Sequence, residues 1–110
     1  MIHQLRIYRI EPSLKLEFDT RFRNHASRIM KSYNFNIVAM WYSELEGNTE
    51  FVYILEWPDE TTMRTQWDAF MADTEWEAIK NQSREAHGEM VLAKVRDQVL
   101  EDTEWFSNAV

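Results

Sequence analysis

Two stretches of this chain read as β-strands with no polar face. In 35–44, Ile37, Ala39 and Trp41 alternate with Val38, Met40 and Tyr42; in 51–57, Phe51, Tyr53, Leu55 and Trp57 alternate with Val52, Ile54 and Glu56. Successive strand residues point to opposite faces, so a sheet built from these runs has to be covered on both sides. The opening segment, 2–10, agrees. One face carries His3, Leu5, Ile7 and Arg9, the other Ile2, Gln4, Arg6, Tyr8 and Ile10, and each mixes apolar bulk with polar head groups. A helix layer on one side and a partner, such as a second subunit, on the other satisfies all of these strands.

The rest of the chain supplies the helices. Glu11-Pro12-Ser13 ends the first strand, and Ser13 is a suitable N-cap. Leu14, Phe18, Phe22, His25, Ala26, Ile29 and Tyr33 then recur every three or four residues and form one helical face, with Arg21, Arg23, Arg28 and Lys31 mostly off it. Asn34 suits the helix end. Glu46-Gly47-Asn48 is a turn, which makes 35–57 a hairpin. Asp59 opens a helix through Met63, Trp67, Phe70 and Met71. A restart at Asp73-Thr74, where Thr74 and Glu77 have capping-box spacing, runs to about Glu85 before Gly88. Finally 89–100 alternates, with Val91, Ala93, Val95 and Val99 on one side and Met90, Leu92, Lys94, Arg96 and Gln98 on the other.

The order β-α-β-β-α-β, with the second helix broken near Ala72-Asp73, predicts an α+β, ferredoxin-like fold: a four-stranded antiparallel sheet with helices on one face. The other sheet face is then a large apolar patch of a kind that soluble monomers rarely carry. A twofold homodimer packing sheet on sheet removes it. The expected unit is one domain over 1–110.

Composition narrows the function classes. The formal net charge of -7 argues against nucleic acid and against an anionic membrane surface. The chain has no cysteine, hence no disulfide, thiol nucleophile or thiolate metal site. It has no apolar run near the roughly 20 residues of a membrane span and no basic-then-apolar leader, so a cytoplasmic protein is expected. Asn81-Gln82-Ser83 matches a glycosylation sequon, which without secretion is a chance match. Asp-Thr-Glu-Trp occurs at 73–76 and 102–105 without further similarity around it and reads as a reused helix-start phrase.

Several motifs, in order, resemble those of NIPSNAP-domain proteins. Leu5-Arg6-x-Tyr8 is similar to the family's opening strand and Phe18-x-x-x-Phe22-Arg23-x-His25-Ala26 to its first helix. Phe35-x-x-Val38-x-x-Trp41 resembles its second strand, and Asp73-x-Glu75-Trp76 its late helix. Together they cover most of 2–100. The resemblance implies the dimeric α+β barrel superfamily, whose relatives include antibiotic-biosynthesis monooxygenases, haem-degrading monooxygenases and muconolactone isomerases. It also implies a cavity between the sheet and the helices of each subunit. It brings no reaction of its own.

The candidate chemistry rests on few residues. His25, spaced with Phe22 and Ile29, is a general base or substrate-orienting group, or else a half-buried histidine bonded to a neighbour. Arg6 and Tyr8 share a strand face. They hold a carboxylate or enolate together, or they belong to a dimer-core ion pair. Trp41, Tyr53, Trp57, Trp67 and Trp76 are aromatic walls for a flat, apolar ligand, or core and interface filling. His3, His25 and His87 lack metal-ligand spacing, haem is disfavoured, and two glycines cannot build a phosphate loop. No cofactor is expected. The leading reading is a small-molecule-binding protein, extending to a cofactor-independent monooxygenase or isomerase acting on an aromatic or enolisable substrate. The alternative is a non-catalytic homodimeric binding or interaction module.

Overall fold

The computed structural model describes residues 1–106 and 108. Strands β1 (Ile2–Ile10), β2 (Asn36–Leu45), β3 (Asn48–Trp57) and β4 (Val91–Glu101) form one antiparallel sheet in the order β2-β3-β1-β4. Between β1 and β2 run α1 (Lys15–Arg21), a π turn (Phe22–Ala26) and α2 (Ser27–Ser32). Between β3 and β4 run α3 (Glu60–Met71) and α4 (Thr74–His87). This is the ferredoxin-like arrangement, with the break in the second helix at the expected place.

β3 shows why the sheet is one-sided. Thr49, Phe51, Tyr53, Leu55 and Trp57 are buried, while the residues between them are only half-buried. The buried set meets the helices. The Phe18 and Phe22 rings lie 5.2 and 4.8 Å from Phe51, and Phe35 lies 4.8 Å from Trp57. Leu5, Ile7, Val52 and Ile54 point to the other face, where Trp41 is 49% exposed and Leu100 38%. His3 is buried on this face, its Nε2 3.3 Å from Glu56 and its Nδ1 3.2 Å from Asp102.

Two irregularities interrupt simple alternation. A bulge at Val38 puts Ile37 opposite Leu55 and Ala39 opposite Ile54. Ile37 and Trp41 therefore lie on different faces, although alternation alone places them together; the extra residue inverts the side assignment. In β4, Arg9 pairs with Leu92 and Ile7 with Arg96, so 93–95 bulge opposite Tyr8, with Ala93 at φ 62°. Because this insertion adds an even number of residues, the alternation expected for β4 survives it.

Local chemistry sets the ends. The β2–β3 hairpin turns on Glu46 (φ 51°) and Gly47 (φ 78°), the paired left-handed residues of a two-residue turn. Asn34 ends α2 at φ 65°, as its side chain permits. Asp59 caps α3 by accepting from the Thr62 amide at 2.7 Å. Two expected caps differ. Glu11, not Ser13, caps the short Pro12–Leu14 turn, and Asp73, not Thr74, caps α4 by accepting from the Trp76 amide at 2.8 Å. At α4 the Asp73 carboxylate already occupies an amide that a Thr74 cap could use, and at the first turn Glu11 instead accepts from both the amide and the hydroxyl of Ser13.

The π turn has the larger effect on function. Its i→i+5 bonding widens one turn, so Phe18, Phe22, Ala26 and Met30 stack in a row four residues apart and are all buried. In an uninterrupted α-helix His25 would lie closer to that row. Here it flanks the row and is half-buried.

A cationic, aromatic cavity between sheet and helices

Arg6 and Tyr8 project from β1 toward the helices. Arg6 sits opposite Tyr53 on β3 and Asp97 on β4, and Tyr8 opposite Phe51. The Arg6 guanidinium donates to Asp97 Oδ2 at 3.0 Å and to the Tyr8 hydroxyl at 3.2 Å, and stacks 4.2 Å from the Trp67 ring centroid. Burial works to lower the Arg6 pKa. The adjoining Tyr8 and Tyr53 hydroxyls outweigh it and hold the group above the ordinary arginine value, so it is a permanent cation. Its Nε is buried without a hydrogen-bond partner among the described residues.

The hydroxyls of Tyr8 and Tyr53 are 2.6 Å apart. Tyr53 is fully buried, and burial, then Tyr8, push its pKa well above the usual tyrosine value, against the pull of Arg6. A buried hydroxyl needs an acceptor, and for Tyr53 the Tyr8 oxygen is the one within reach among the described residues. Either hydroxyl can donate in this bond; when Tyr53 donates, alongside Arg6, the Tyr8 hydrogen is free to serve the space above.

That space is a cavity of about 190 Å³. Phe18, Phe22, Ala26 and Met30 bound it on the first helical layer, Trp67, Phe70, Met71 and Trp76 on the second, and Val91 and Val95 on β4. Its polar lining is Arg6, Tyr8, Arg21 and Lys80; no Asp or Glu among the described residues lines it. Gln4 organises one wall from beneath. Fully buried, its Oε1 accepts from Trp57 Nε1 at 2.9 Å and Trp67 Nε1 at 2.7 Å, while its Nε2 donates to Asp97 at 2.8 Å.

The structure therefore brings together Arg6, Tyr8, Trp67 and Trp76, with Tyr53 directly below. It does not bring in the others. Trp57 is core, packed on Phe35. Trp41 lies opposite Val52 on the outer face, with the sheet between it and the cavity. His25 lines a separate groove between α1 and α4 with Glu17 and His87, its Nδ1 3.4 Å from Arg28. Arg21, Lys80 and Gln4 are the additions. A signal for the two cations is present in the sequence: Arg21 follows Phe18 by three residues and Lys80 follows Trp76 by four, spacings that share a helix face. Arg21 ends α1 at the seam with the π turn, and its long side chain reaches inward.

The NIPSNAP family model matches residues 3–105. The chain belongs to the NIPSNAP family. The NIPSNAP fold recurs in solved structures. A NIPSNAP family protein with unknown function from Agrobacterium tumefaciens is 17% identical, with a TM-score of 0.80 over 96% of this chain and 91% of that one. An uncharacterized NIPSNAP domain protein from Burkholderia xenovorans is 18% identical, TM-score 0.79, over 98% of this chain and 100% of that one. More distantly, a monooxygenase from Streptomyces coelicolor, in complex with the ligand nanaomycin D, is 8% identical with a TM-score of 0.61 over 98% of this chain and 92% of that one. These likenesses establish a shared fold. No curated protein matches the sequence significantly. Among the described residues, no helix of this NIPSNAP chain is long and apolar enough to cross a membrane.

Proposed function

We propose that this NIPSNAP chain binds a small, largely apolar molecule in the cavity between sheet and helices and presents Arg6 and Tyr8 to an oxygen of that ligand. The observation that carries this reading is the Arg6–Tyr8–Tyr53 hydrogen-bond array opening into a space walled by Trp67, Phe70 and Trp76. Convergent polar groups in an aromatic pocket are the usual marks of a ligand site. If the ligand turns over, the same pair stabilises an enolate or phenolate, which suits cofactor-independent oxygenation or isomerisation. The proton-transfer role first assigned to His25 then passes to Tyr8, because His25 lies outside the cavity.

The partner in this proposal is a second copy of the chain. The outer sheet face has an apolar centre of Leu5, Ile7, Ala39, Trp41, Val52 and Ile54, and beside it stand Trp105, 84% exposed, and Phe106, 56% exposed. A homodimer covers them. The second reading, a non-catalytic homodimeric module, rests on this face alone and leaves the cavity without a use.

Trp67 and Trp76 make tryptophan fluorescence the direct test. Titration with single-ring phenols and cyclic 1,3-diketones should give saturable quenching, weakened at least tenfold by Arg6→Met. An absence of saturable binding across both classes, in protein that melts cooperatively, would leave the dimer module as the better reading. Oxygen uptake on adding a bound ligand separates enzyme from binder.

A further inference from the structure

Arg21 is a half-buried cation without a counter-ion. Its guanidinium stacks near Trp76 (5.4 Å) and Phe18 (5.9 Å) and donates to Ser83 Oγ at 3.1 Å, but no carboxylate among the described residues forms an ion pair with it. None of the acids around it forms an ion pair with it among the described residues, although Glu17, which lines the α1–α4 groove with it, keeps its Oε2 buried without a hydrogen-bond partner. Glu89 pairs with Arg84 at 2.7 Å, Asp97 with Arg6 at 3.0 Å, and Glu17, one turn earlier, makes no ion pair with it. Burial lowers the Arg21 pKa below the ordinary arginine value, outweighing the opposing pull of Tyr8 and Glu89. A charge partly withdrawn from water, held at a cavity wall by one hydroxyl and two ring faces and without an ion pair, offers an anion a place to bind. Lys80 stands beside it, with its one acidic partner, Glu77, exposed and 3.4 Å away on the same helix.

We infer that Arg21 and Lys80 form the anion-binding pole of the cavity, and that the ligand is a single-ring aromatic carboxylic acid bearing a second oxygen that meets Arg6 and Tyr8 on the sheet side. This rests on the cavity reading given above and specifies its ligand. The sheet supplies one polar pole, the helical wall the other, and the aromatic side chains the apolar middle. The size agrees: an engineered apolar cavity of about 150 Å³ holds benzene, so about 190 Å³ takes one ring with small substituents. A second space, of about 170 Å³, shares Arg21, Lys80 and Val91 with the first; its further charged lining is Arg84 and Glu89, which pair with each other, so Arg21 and Lys80 are the cations left there for the acid group.

The probes are 4-hydroxybenzoate and its uncharged methyl ester, titrated against the full chain by tryptophan fluorescence and calorimetry. The acid should bind at least tenfold more tightly than the ester. Arg21→Gln should bring the acid-to-ester ratio close to one, Lys80→Gln should reduce it severalfold, and Arg21→Lys should keep most of it. If the Arg21→Gln protein does not fold, Lys80→Gln and Arg21→Lys carry the comparison. Acid and ester binding equally well to the unaltered chain would overturn the anion pole and leave the cavity reading intact. An acid preference that survives both Gln variants would do the same. Binding of neither probe at millimolar concentration would overturn this inference, and failure of the cyclic 1,3-diketones as well would overturn the cavity reading.

Discussion

The hydroxyls of Tyr8 and Tyr53 stand 2.6 Å apart, one at the cavity floor and one sealed beneath it. Because the folded protein holds the Tyr53 proton well above the ordinary value of 10.0, the unfolded chain binds fewer protons than the folded one at higher pH. Linkage then gives the sign: the stabilisation is intact below pH 10 and is lost as pH rises beyond it. Tyr53 should therefore contribute a loss of stability as pH rises from 10 to 11. Urea unfolding of Tyr53→Phe at pH 9 and 11 should show a shallower alkaline decline than the unaltered chain. Tyr33 and Tyr42, also raised, supply the remainder.

Gln4 is a single side chain holding two indoles. Replacing it with Leu strands the Trp57 and Trp67 N–H groups, and each buried donor left unsatisfied costs about 1–3 kcal/mol. Gln4→Leu should therefore lose roughly 2–6 kcal/mol in urea unfolding. It should also weaken ligand binding through the displaced Trp67 wall.

Asp73 joins two helical layers. It accepts from the Tyr33 hydroxyl at 2.7 Å and from the Trp76 amide at 2.8 Å, and its pKa is depressed first by the Tyr33 bond and then by the Trp76 amide. The stabilisation is present above the ordinary aspartate value and is lost as pH falls through the lower folded value. Asp73→Asn keeps one acceptor oxygen for the Trp76 amide, gives up the second that serves Tyr33, and cannot titrate, so its melting temperature should fall less between pH 4 and pH 2 than that of the unaltered chain. Asp73→Ala should melt lower at every pH.

The proposed dimer is tested on the outer sheet face. Ile54, at its centre between Leu5 and Ala39, is remote from the helices. Light scattering of the unaltered chain at micromolar concentration should give twice the chain mass, and Ile54→Asp should give the monomer mass. A monomer in the unaltered chain removes the proposal.

The fold was legible because it depends on patterns that survive local error. The apolar strands, the Gly47 turn, the Asp59 cap and the break at Ala72-Asp73 each fixed an element by its own chemistry. The site was less legible for a specific reason: strand parity and helix phase must both be right before a side chain can be assigned to a cavity. The Val38 bulge moved Ile37 to the other face from Trp41, and the π turn moved His25 off the inward row. Neither leaves a strong mark on the sequence. Arg6 and Tyr8 could be placed together on one face, because β1 runs without a break of its own, but periodicity could not say which face of the sheet that is. Arg21 was set aside as an off-face cation, since a wheel of Cα directions does not register how far a long side chain bends inward.

The three-residue bulge of β4 opposite Tyr8 has a bearing on how such a cavity changes over time. On either side of 93–95 the strand is pinned in register, Leu92 to Arg9 and Arg96 to Ile7. Length gained or lost in pairs there would deepen or fill the space near Val95 without turning a single flanking side chain to the wrong face. The seam is thus a place where ligand size can drift while the sheet stays put.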